Sequence, residues 1–439
     1  MFILRNVLSP LQKEFNGSER GTWFIYTLLA VITHFTSSRT SNLIRCLQTL
    51  FGLHVSQRRF YTFMASPKLP WDRLWCVLWS LIPAPTVNGR LLLALDDYLN
   101  PKTGKKIFGC ASFFDHAAKI NQSPYPWSQN VVCIGLLKIV KGRWACLPLA
   151  FRFYHMKKTI AAGNVMVKGK APAFQTKFEQ AVEILSKIAA AFHNTPLLVI
   201  TDSWFGNDGL FKPMRNTLGQ HTHILSRLRV NTLLFALPPK RRKHQRGRDK
   251  KYGRKIGCAK SQAEIYNKRA TSYTINLYGT QREVLAYDSV VMLKTLKCAV
   301  HVVWVYRKSQ WVALFTTDLD LSVEQIIEYY GARWKIESGF KEIKQDIGSA
   351  KSQTRDPYAV NNHLHFCMMA TTVTWIYADL LDHTPQRCYA TNTRQHYAFS
   401  DVRKLITQAA LDKGFVSLCP RPNKPMNNSF VTALLRMVA

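Results

Sequence analysis

The chain has 439 residues, of which 47% are hydrophobic and 12% aromatic, enough for a sizeable packed core, and this composition excludes a wholly disordered protein. Lys and Arg number 60, Asp and Glu number 26, and the net charge is +34. Such a surplus predicts a polyanionic partner, with nucleic acid as the first choice, and argues against an ordinary metabolic enzyme. Because acids are scarce, each well-placed Asp or Glu is informative.

Ten cysteines are spread along the chain, with no CxxC pair and no Cys/His cluster of zinc-finger spacing. Most lie in apolar runs, which predicts reduced, buried thiols in a cytosolic protein. The most apolar early stretch, Trp23 to Phe35, is too short and too polar to span a membrane. We therefore expect a soluble cytoplasmic protein with no membrane partner.

Residues 1–85 show helical periodicity. One predicted helix has apolar residues at helical spacing and can end at Gly52; they are Leu43, Ile44, Leu47, Leu50 and Phe51. Ser56 can cap a second helix, which is basic. The pair matches a helix-turn-helix and a plain helical hairpin about equally well, and we predict an N-terminal helical DNA-binding region.

The next part of the chain alternates between strands and helices. Strand-like runs cover Arg90 to Asp97, Ile107 to Phe114, Val131 to Val140, Ala145 to Tyr154, Leu197 to Ile200 and His223 to Leu228. Helical patterns cover Pro172 to Asn194 and Gly209 to Leu218. This order predicts an α/β fold in which helices cover a mixed sheet.

The stretch 231–315 begins with a charge run and continues with strand-like alternation, which predicts a β-rich basic insertion. Lys240 to Lys255 holds ten Lys or Arg in sixteen residues. Such a run is either a solvated loop or a loop that clamps DNA, and the net charge favours DNA. The candidate DNA contacts there are Arg241, Arg242, Lys250 and Lys251.

Carboxylates end two apolar strands. Asp96 and Asp97 follow the run 91–95, and Asp202 follows Leu198 to Thr201. A single Asp at a strand end usually caps a loop, but two such sites in an acid-poor chain favour a cation site. If the strands are adjacent, the carboxylates converge at one edge, where hard divalent cations take oxygen ligands.

Helical periodicity resumes at 321 and runs to about 348, with a capping-box pattern at Ser322 and Gln325. On an ideal helix a single narrow face carries Tyr330, Arg333, Glu337 and Lys344. The simpler interpretation is a solvated face with an ion pair between Arg333 and Glu337.

The pattern Tyr330-x2-Arg333-x3-Glu337-x6-Lys344 resembles the YREK signature of bacterial insertion-sequence transposases of the DDE type. The order of the two Asp motifs and the β-rich insertion along the chain also resembles that of these transposases. The resemblance covers roughly 90–380. It implies an RNase H-like catalytic core in two parts, 86–230 and 316–382, with 231–315 inserted and 383–439 of unassigned role.

The resemblance also implies the site. One of Asp96 and Asp97, with Asp202 and Glu337, would bind two Mg²⁺ ions, for which Mn²⁺ could substitute. Asp97 is preferred, because related transposases often carry an acidic or polar residue just before the catalytic Asp, and Asp96 is the alternative. Tyr330, Arg333 and Lys344 would contact DNA phosphates.

The implied function is that of a DNA transposase. It would bind the terminal inverted repeats of its insertion sequence, cleave DNA by two-metal-ion phosphodiester hydrolysis and transfer the 3′ ends to target DNA. Double-stranded DNA is the expected partner, with a homodimer in the synaptic complex and a nucleoid-associated bacterial location. The alternatives are a catalytically inactive, transposase-derived DNA-binding protein and another RNase H-like nuclease.

Some relatives hold a flipped base on a Trp of the insertion, where Trp304 and Trp311 lie in this chain. Both sit in strand-like apolar runs, which favours a role in the core, so a hairpin mechanism stays open.

Overall fold

The computed structural model of the protein describes residues 2–34, 37–116, 118–241, 247–277, 279–307, 310–391 and 396–412. The α-helices in these ranges are α1 (Phe2–Lys13), α2 (Glu19–Thr33), α3 (Thr40–Phe51), α4 (Gln57–Met64), α5 (Trp71–Ser80), α6 (Lys157–Ala161), α7 (Lys177–Ala191), α8 (Asp208–Leu218), α9 (Ala259–Asn267), α10 (Val323–Ala332), α11 (Trp334–Lys341), α12 (Pro357–Leu380) and α13 (Phe399–Ala410). The strands are β1 (Leu91–Pro101), β2 (Ala111–Ser112), β3 (Trp127–Val140), β4 (Arg143–Tyr154), β5 (Leu197–Thr201), β6 (Thr222–Arg227), β7 (Leu233–Phe235), β8 (Lys255–Cys258), β9 (Thr271–Leu277), β10 (Thr280–Leu293), β11 (Cys298–Arg307) and β12 (Gln310–Thr316).

The strands form one mixed sheet in the order β2-β3-β1-β5-β6-β12-β11-β10-β7-β8, with β4 paired to β3 and β9 paired to β10. β1 is antiparallel to β3 and parallel to β5, and β5 is parallel to β6. The continuous apolar run of β5 fits a strand that is buried on both faces. The predicted α/β fold, a mixed sheet flanked by helices, is confirmed and is consistent with an RNase H-like core.

The strands of the insertion continue this sheet. β12 pairs antiparallel with β6, at Thr316 and Leu225 among other positions, and β11 and β10 follow outward. One hydrogen-bonded layer therefore runs from the antiparallel strands through β5 and β6 into the inserted strands.

The long helix α12 organises the helical side of the fold. It is apolar around its whole circumference, because it packs against β4 on one side and α2 on the other. Two indole N–H groups of α5 bond to it: Trp71 Nε1 donates to Asn362 Oδ1 at 2.7 Å and Trp75 Nε1 to His365 Nδ1 at 2.9 Å. The N-terminal helices are thus tied to the core.

Two predicted helix ends are confirmed near the N-terminus. Gly52, at φ 61°, ends α3, and its left-handed backbone favours glycine. The Ser56 hydroxyl accepts the Arg59 N–H at the start of α4. Whether this pair of helices acts as a helix-turn-helix stays a prediction.

Two predicted elements differ from the structure. The run Ile107 to Phe114 contains only the two-residue strand β2, because Ile107 and Cys110 pack with Val360 in a separate small cluster. The helix expected over 321–348 is divided into α10 and α11 at Arg333, whose backbone angles stay helical, and it becomes a π-helix over Glu342–Asp346. A 3₁₀ turn, Ser349–Lys351, follows.

The C-terminal region, to which the sequence assigned no element, contains α13. Among the residues that the structure describes, no helix is both long and apolar enough to cross a membrane.

Candidate active site

The central parallel pair of strands places two carboxylates side by side. Leu95 of β1 is paired with Thr201 of β5, and the next residues along the two strands are Asp96 and Asp202. Parallel strands in this register bring residues at the same level to the same face of the sheet. The condition set by the sequence, that the two strands be adjacent, is met.

Asp96 and Asp97 lie on opposite faces of β1, because side chains alternate along a strand. The Asp97 Oδ2 atom accepts hydrogen bonds from Asn130 Nδ2 at 2.9 Å and from Lys177 Nζ at 2.8 Å. Lys177 is the first residue of α7. Asp97 therefore belongs to an ion pair with the helix on its own face, away from Asp96 and its partners.

Arg333 joins Asp96 to the third candidate acid. Its Nη1 donates to Asp96 Oδ2 at 3.2 Å, and its Nη2 donates to Glu337 Oε1 at 2.9 Å. The Arg333 side chain is only 13% exposed. A single guanidinium thus lies between the Asp96 carboxylate of the sheet and the Glu337 carboxylate of α11.

The electrostatics of this cluster depend on burial. Burial raises the pKa of Asp96 to about 7; Arg333 acts against the shift, and Asp202 and Asp97 add to it. Burial opposes the charge of Arg333, but Tyr330, Asp96 and Glu337 together raise the pKa of its guanidinium. The charged form of Asp96 is therefore unfavourable here even with the Arg333 guanidinium beside it.

A tight turn fixes Asp202. Its Oδ1 atom accepts the backbone N–H groups of Trp204 and Phe205, each at 3.0 Å, and the Ser226 hydroxyl donates to its backbone carbonyl at 2.7 Å. Gly206 makes this turn possible, since a Cβ there would lie 2.5 Å from Ser226 Cβ. The turn leaves little freedom to the orientation of the carboxylate.

Tyr330 and Arg333 are stacked beside the acids. The Arg333 Cζ atom lies 5.7 Å from the centre of the Tyr330 ring. Burial raises the pKa of Tyr330. Arg333 and Arg227 oppose this shift, and Asp202 adds to it. Tyr330 is therefore near both the carboxylates and Arg227.

The π-helix gives Lys344 a different position from the one that ideal helical spacing predicts. The Ile347 N–H bonds to the Glu342 carbonyl at 2.8 Å, a five-residue spacing. Lys344 Nζ lies 5.6 Å from the Tyr98 ring, and burial lowers the pKa of Lys344 while Asp115 opposes the shift. Lys344 is therefore close to β1 at Tyr98, two residues beyond Asp96.

Glu342 begins this π-helix and is a buried acid. Its Oε2 atom accepts the Trp375 indole N–H at 3.2 Å, and burial raises its pKa to about 8, with Arg143 acting in the opposite direction. It contacts α12 rather than the carboxylate cluster, so it belongs to the support of the site.

Two arginines near the site were missed by the sequence analysis. Arg227 and Arg229, at the end of β6, line a cavity of about 260 Å³ together with Ser203 and Asn207. The Arg229 Nη2 atom donates to the Ser203 carbonyl at 3.5 Å. Basic residues at the end of a predicted strand, His223 to Leu228, were the available signal.

The other predicted contacts lie in or near the insertion. Arg241 pairs with Asp249 at 2.9 Å, Lys250 and Lys251 are exposed on the connection between β7 and β8, and Arg242 lies outside the described residues. Trp304 is fully buried and donates to the Ala259 carbonyl at 3.1 Å. Trp311 is half-buried in β12. The core role favoured for Trp304 fits this position.

Asp97, Asp202 and Glu337, predicted as metal ligands, are not brought together, because Asp97 is on the other face. Within the described ranges, no three His, Cys, Asp or Glu side chains are grouped closely enough to hold a metal ion as they stand. Asp96 and Glu337 share Arg333, and Asp202 follows the strand that pairs with the strand of Asp96.

Two family models match the chain. The family model described as "DDE superfamily endonuclease" matches residues 10–274, more than half of the chain, which includes Asp96 and Asp202. The model described as "Archaeal putative transposase ISC1217" matches residues 284–370, which includes Glu337. A search of curated proteins found no significant match.

Proposed function

Since the chain belongs to the DDE superfamily endonucleases and resembles a transposase over 284–370, we propose that it is a DNA transposase. It binds the terminal inverted repeats of its own insertion sequence, cleaves DNA by phosphodiester hydrolysis and transfers the 3′ ends to target DNA. The observation that carries this proposal is the placement of Asp96 on β1 and of Asp202 directly after the adjacent strand β5, with Glu337 joined to Asp96 through Arg333.

We assign the catalytic acids as Asp96, Asp202 and Glu337. Asp96 replaces Asp97, which the sequence had favoured, because Asp97 is bonded to Lys177 on the opposite face. The Tyr330, Arg333, Glu337 and Lys344 pattern supports placement in the YREK-signature group of bacterial elements.

The acids fit a divalent cation in chemistry. They are hard oxygen donors, and a cationic group, the Arg333 guanidinium, already lies between Asp96 and Glu337. We propose that Asp96, Asp202 and Glu337 hold two Mg²⁺ ions, or Mn²⁺ in their place. When bound, such ions lower the pKa of an attacking water or 3′-OH and stabilise the leaving oxygen.

The protein's own residues position DNA. Arg333 would form a bidentate contact with a phosphate, and Lys344 would offer a point charge further along β1. Arg227 and Arg229 flank the turn that holds Asp202, so a backbone that passes the acids would meet them as well. The exposed Lys250 and Lys251, with Arg241 and Arg242, would add salt-sensitive contacts from the insertion.

The proposal extends to assembly and location. The enzyme would act on double-stranded element ends and target DNA as a homodimer in a synaptic complex, in the bacterial cytoplasm at the nucleoid. Residues 1–85 would contribute DNA-binding helices, and the insertion, 231–315, would also contact the DNA.

The test uses purified protein and a plasmid that carries the DNA flanking its gene. Incubation with Mg²⁺ or Mn²⁺ should produce breaks at the element ends, and Glu337→Gln should abolish them. Glu324→Gln is the matched control, because Glu324 is an exposed acid in the first turn of α10. This variant should cleave DNA as the wild type does.

Two other results would support the alternatives. DNA binding without breaks would favour an inactive, transposase-derived DNA-binding protein. Breaks that depend on Glu337 but are not directed to the element ends would favour another RNase H-like nuclease.

A further inference from the structure

Arg333 cannot bond to a DNA phosphate and to both Asp96 and Glu337 at the same time. The proposed function needs its guanidinium on a DNA phosphate and needs Asp96 and Glu337 free for cations. In the free chain, however, both carboxylates are bonded to this one guanidinium, at 3.2 Å and 2.9 Å. One of these arrangements must give way when DNA and cations bind.

The bridge has a physical reason in the free protein. Asp96 is part-buried close to Asp202 and Asp97, and a carboxylate in such a place is costly without a cation nearby. Arg333 supplies that cation. It therefore occupies the electrostatic role that a divalent ion would otherwise have between Asp96 and Glu337.

One hydrogen-bond donor of the Arg333 side chain has no acceptor in the free protein, as far as the described residues go. Its Nε atom is buried and has no hydrogen-bond partner among the described residues. An unsatisfied buried donor is unfavourable, and a phosphate can accept two parallel bonds from one guanidinium. A DNA phosphate would thus satisfy a donor that neither carboxylate reaches.

The backbone N–H of Arg333 is also shared between two acceptors. It stands between α10 and α11, and its N–H is shared between the Tyr329 and Tyr330 carbonyls at 3.3 Å and 3.2 Å. The long side chain therefore starts from the junction of α10 and α11, where the backbone angles stay helical at φ −51° and ψ −34°.

We propose that Arg333 is the internal counter-cation of the free active site, and that its transfer from Asp96 and Glu337 to a DNA phosphate opens the site to divalent cations. The inference rests on the proposed function, whose regulation it describes. DNA binding and metal binding are then positively coupled, and by linkage each strengthens the other. Free protein, with no DNA, holds cations weakly.

The experiment measures Mn²⁺ affinity without DNA, from the electron paramagnetic resonance signal of the free ion, so that it does not depend on cleavage. Arg333→Gln removes the bridge and should bind Mn²⁺ about tenfold more tightly than the wild type, within the range usual for such coupling. Arg282→Gln is the control for loss of one positive charge, because Arg282 is exposed on the β9–β10 hairpin, and should leave the affinity unchanged.

A second variant separates bridging from charge. Arg333→Lys keeps the charge but cannot bond both carboxylates in the same way, so it should bind Mn²⁺ more tightly than the wild type and less tightly than Arg333→Gln. Thermal unfolding without metal checks that each variant is folded. If Arg333→Lys bound Mn²⁺ with the same affinity as the wild type, the proposal that the Arg333 bridge excludes cations would be overturned.

Addition of a short duplex from the element end tests the transfer. Wild-type affinity for Mn²⁺, corrected for ions bound by the duplex alone, should rise towards that of Arg333→Gln, while the variant should gain less. Equal gains in both proteins would overturn the transfer step.

The failures are distinguishable. If Mn²⁺ binds in a manner that Glu337→Gln abolishes, but Arg333→Gln binds it no more tightly than the wild type, the inference fails and the proposed function stands. If neither protein binds Mn²⁺ through Glu337, both fail.

Discussion

Asp96 and Asp97 are consecutive in the sequence, but Asp96 bonds to Arg333 on one face of the sheet and Asp97 to Lys177 on the other. Two adjacent acids therefore have different partners and different chemistry. Asp97 is paired with Lys177, whereas the partner of Asp96 is itself a candidate ligand of DNA.

Substitution of each acid should separate their roles. Asp96→Asn should lower the rate of DNA cleavage at least about a hundredfold, because loss of a ligand to catalytic ions removes several kcal/mol of stabilisation. Asp97→Asn can still accept from Asn130 and should lower the rate less than about tenfold. Initial rates on the element-end substrate measure both, and a larger loss for Asp97→Asn would reverse the assignment.

Arg227 should contribute to DNA affinity through a phosphate. Arg227→Gln should weaken binding of all duplexes alike and reduce the slope of log K against log salt concentration by about 1, the effect of one lost phosphate contact. Fluorescence anisotropy at several salt concentrations measures the slope. Arg282→Gln, on the exposed hairpin, serves as the comparison, and an unchanged slope for Arg227→Gln would remove it from the DNA path.

Glu342 should make stability depend on pH. Its pKa is raised by burial to about 8 in the folded protein, so its favourable contribution is present below the unfolded pKa and is lost as the pH rises through about 8. Between its unfolded pKa and about pH 8, the wild type should lose stability relative to Glu342→Gln by at most roughly 1.4 kcal/mol per pH unit. Thermal unfolding midpoints of both proteins at pH 5.5 and pH 8 give the comparison, and parallel changes would contradict it.

Gly206 should be sensitive to the smallest side chain. Its added Cβ would lie 2.2 Å from Ser226 Oγ and 2.5 Å from Ser226 Cβ, so Gly206→Ala should destabilise the fold by about 1–3 kcal/mol and disturb Asp202. Gly339→Ala is the control, because its Cβ would have only ordinary contacts at 3.9 Å. Urea denaturation should show a loss for the first variant and none for the second.

The sequence predicted what depends on strand patterns. The apolar runs before Asp96 and Asp202 marked two buried strands, and these are adjacent in the structure. The period of two along β1 also requires that Asp96 and Asp97 face opposite ways. Which face meets α11 depends on tertiary packing, and so the preference for Asp97 rested on resemblance alone.

Helical spacing predicted Arg333 and Glu337 as a pair, and they are bonded. It failed further along, because the ideal 100° per residue does not continue through the π-helix that begins at Glu342. The buried Glu342 and Trp375 pair, which lies at that change, joins residues far apart in the sequence. No local pattern could have signalled it.

The pairing of β12 with β6 has a consequence for shortened forms of the chain. Deletion of 231–315 would not leave a smaller intact core, because it would uncover the backbone N–H and C=O groups of β6 next to the strand that carries Asp202. A bare edge of this kind is a template for strand addition from another molecule. Truncated descendants of such a gene should therefore aggregate unless they acquire another strand at that edge.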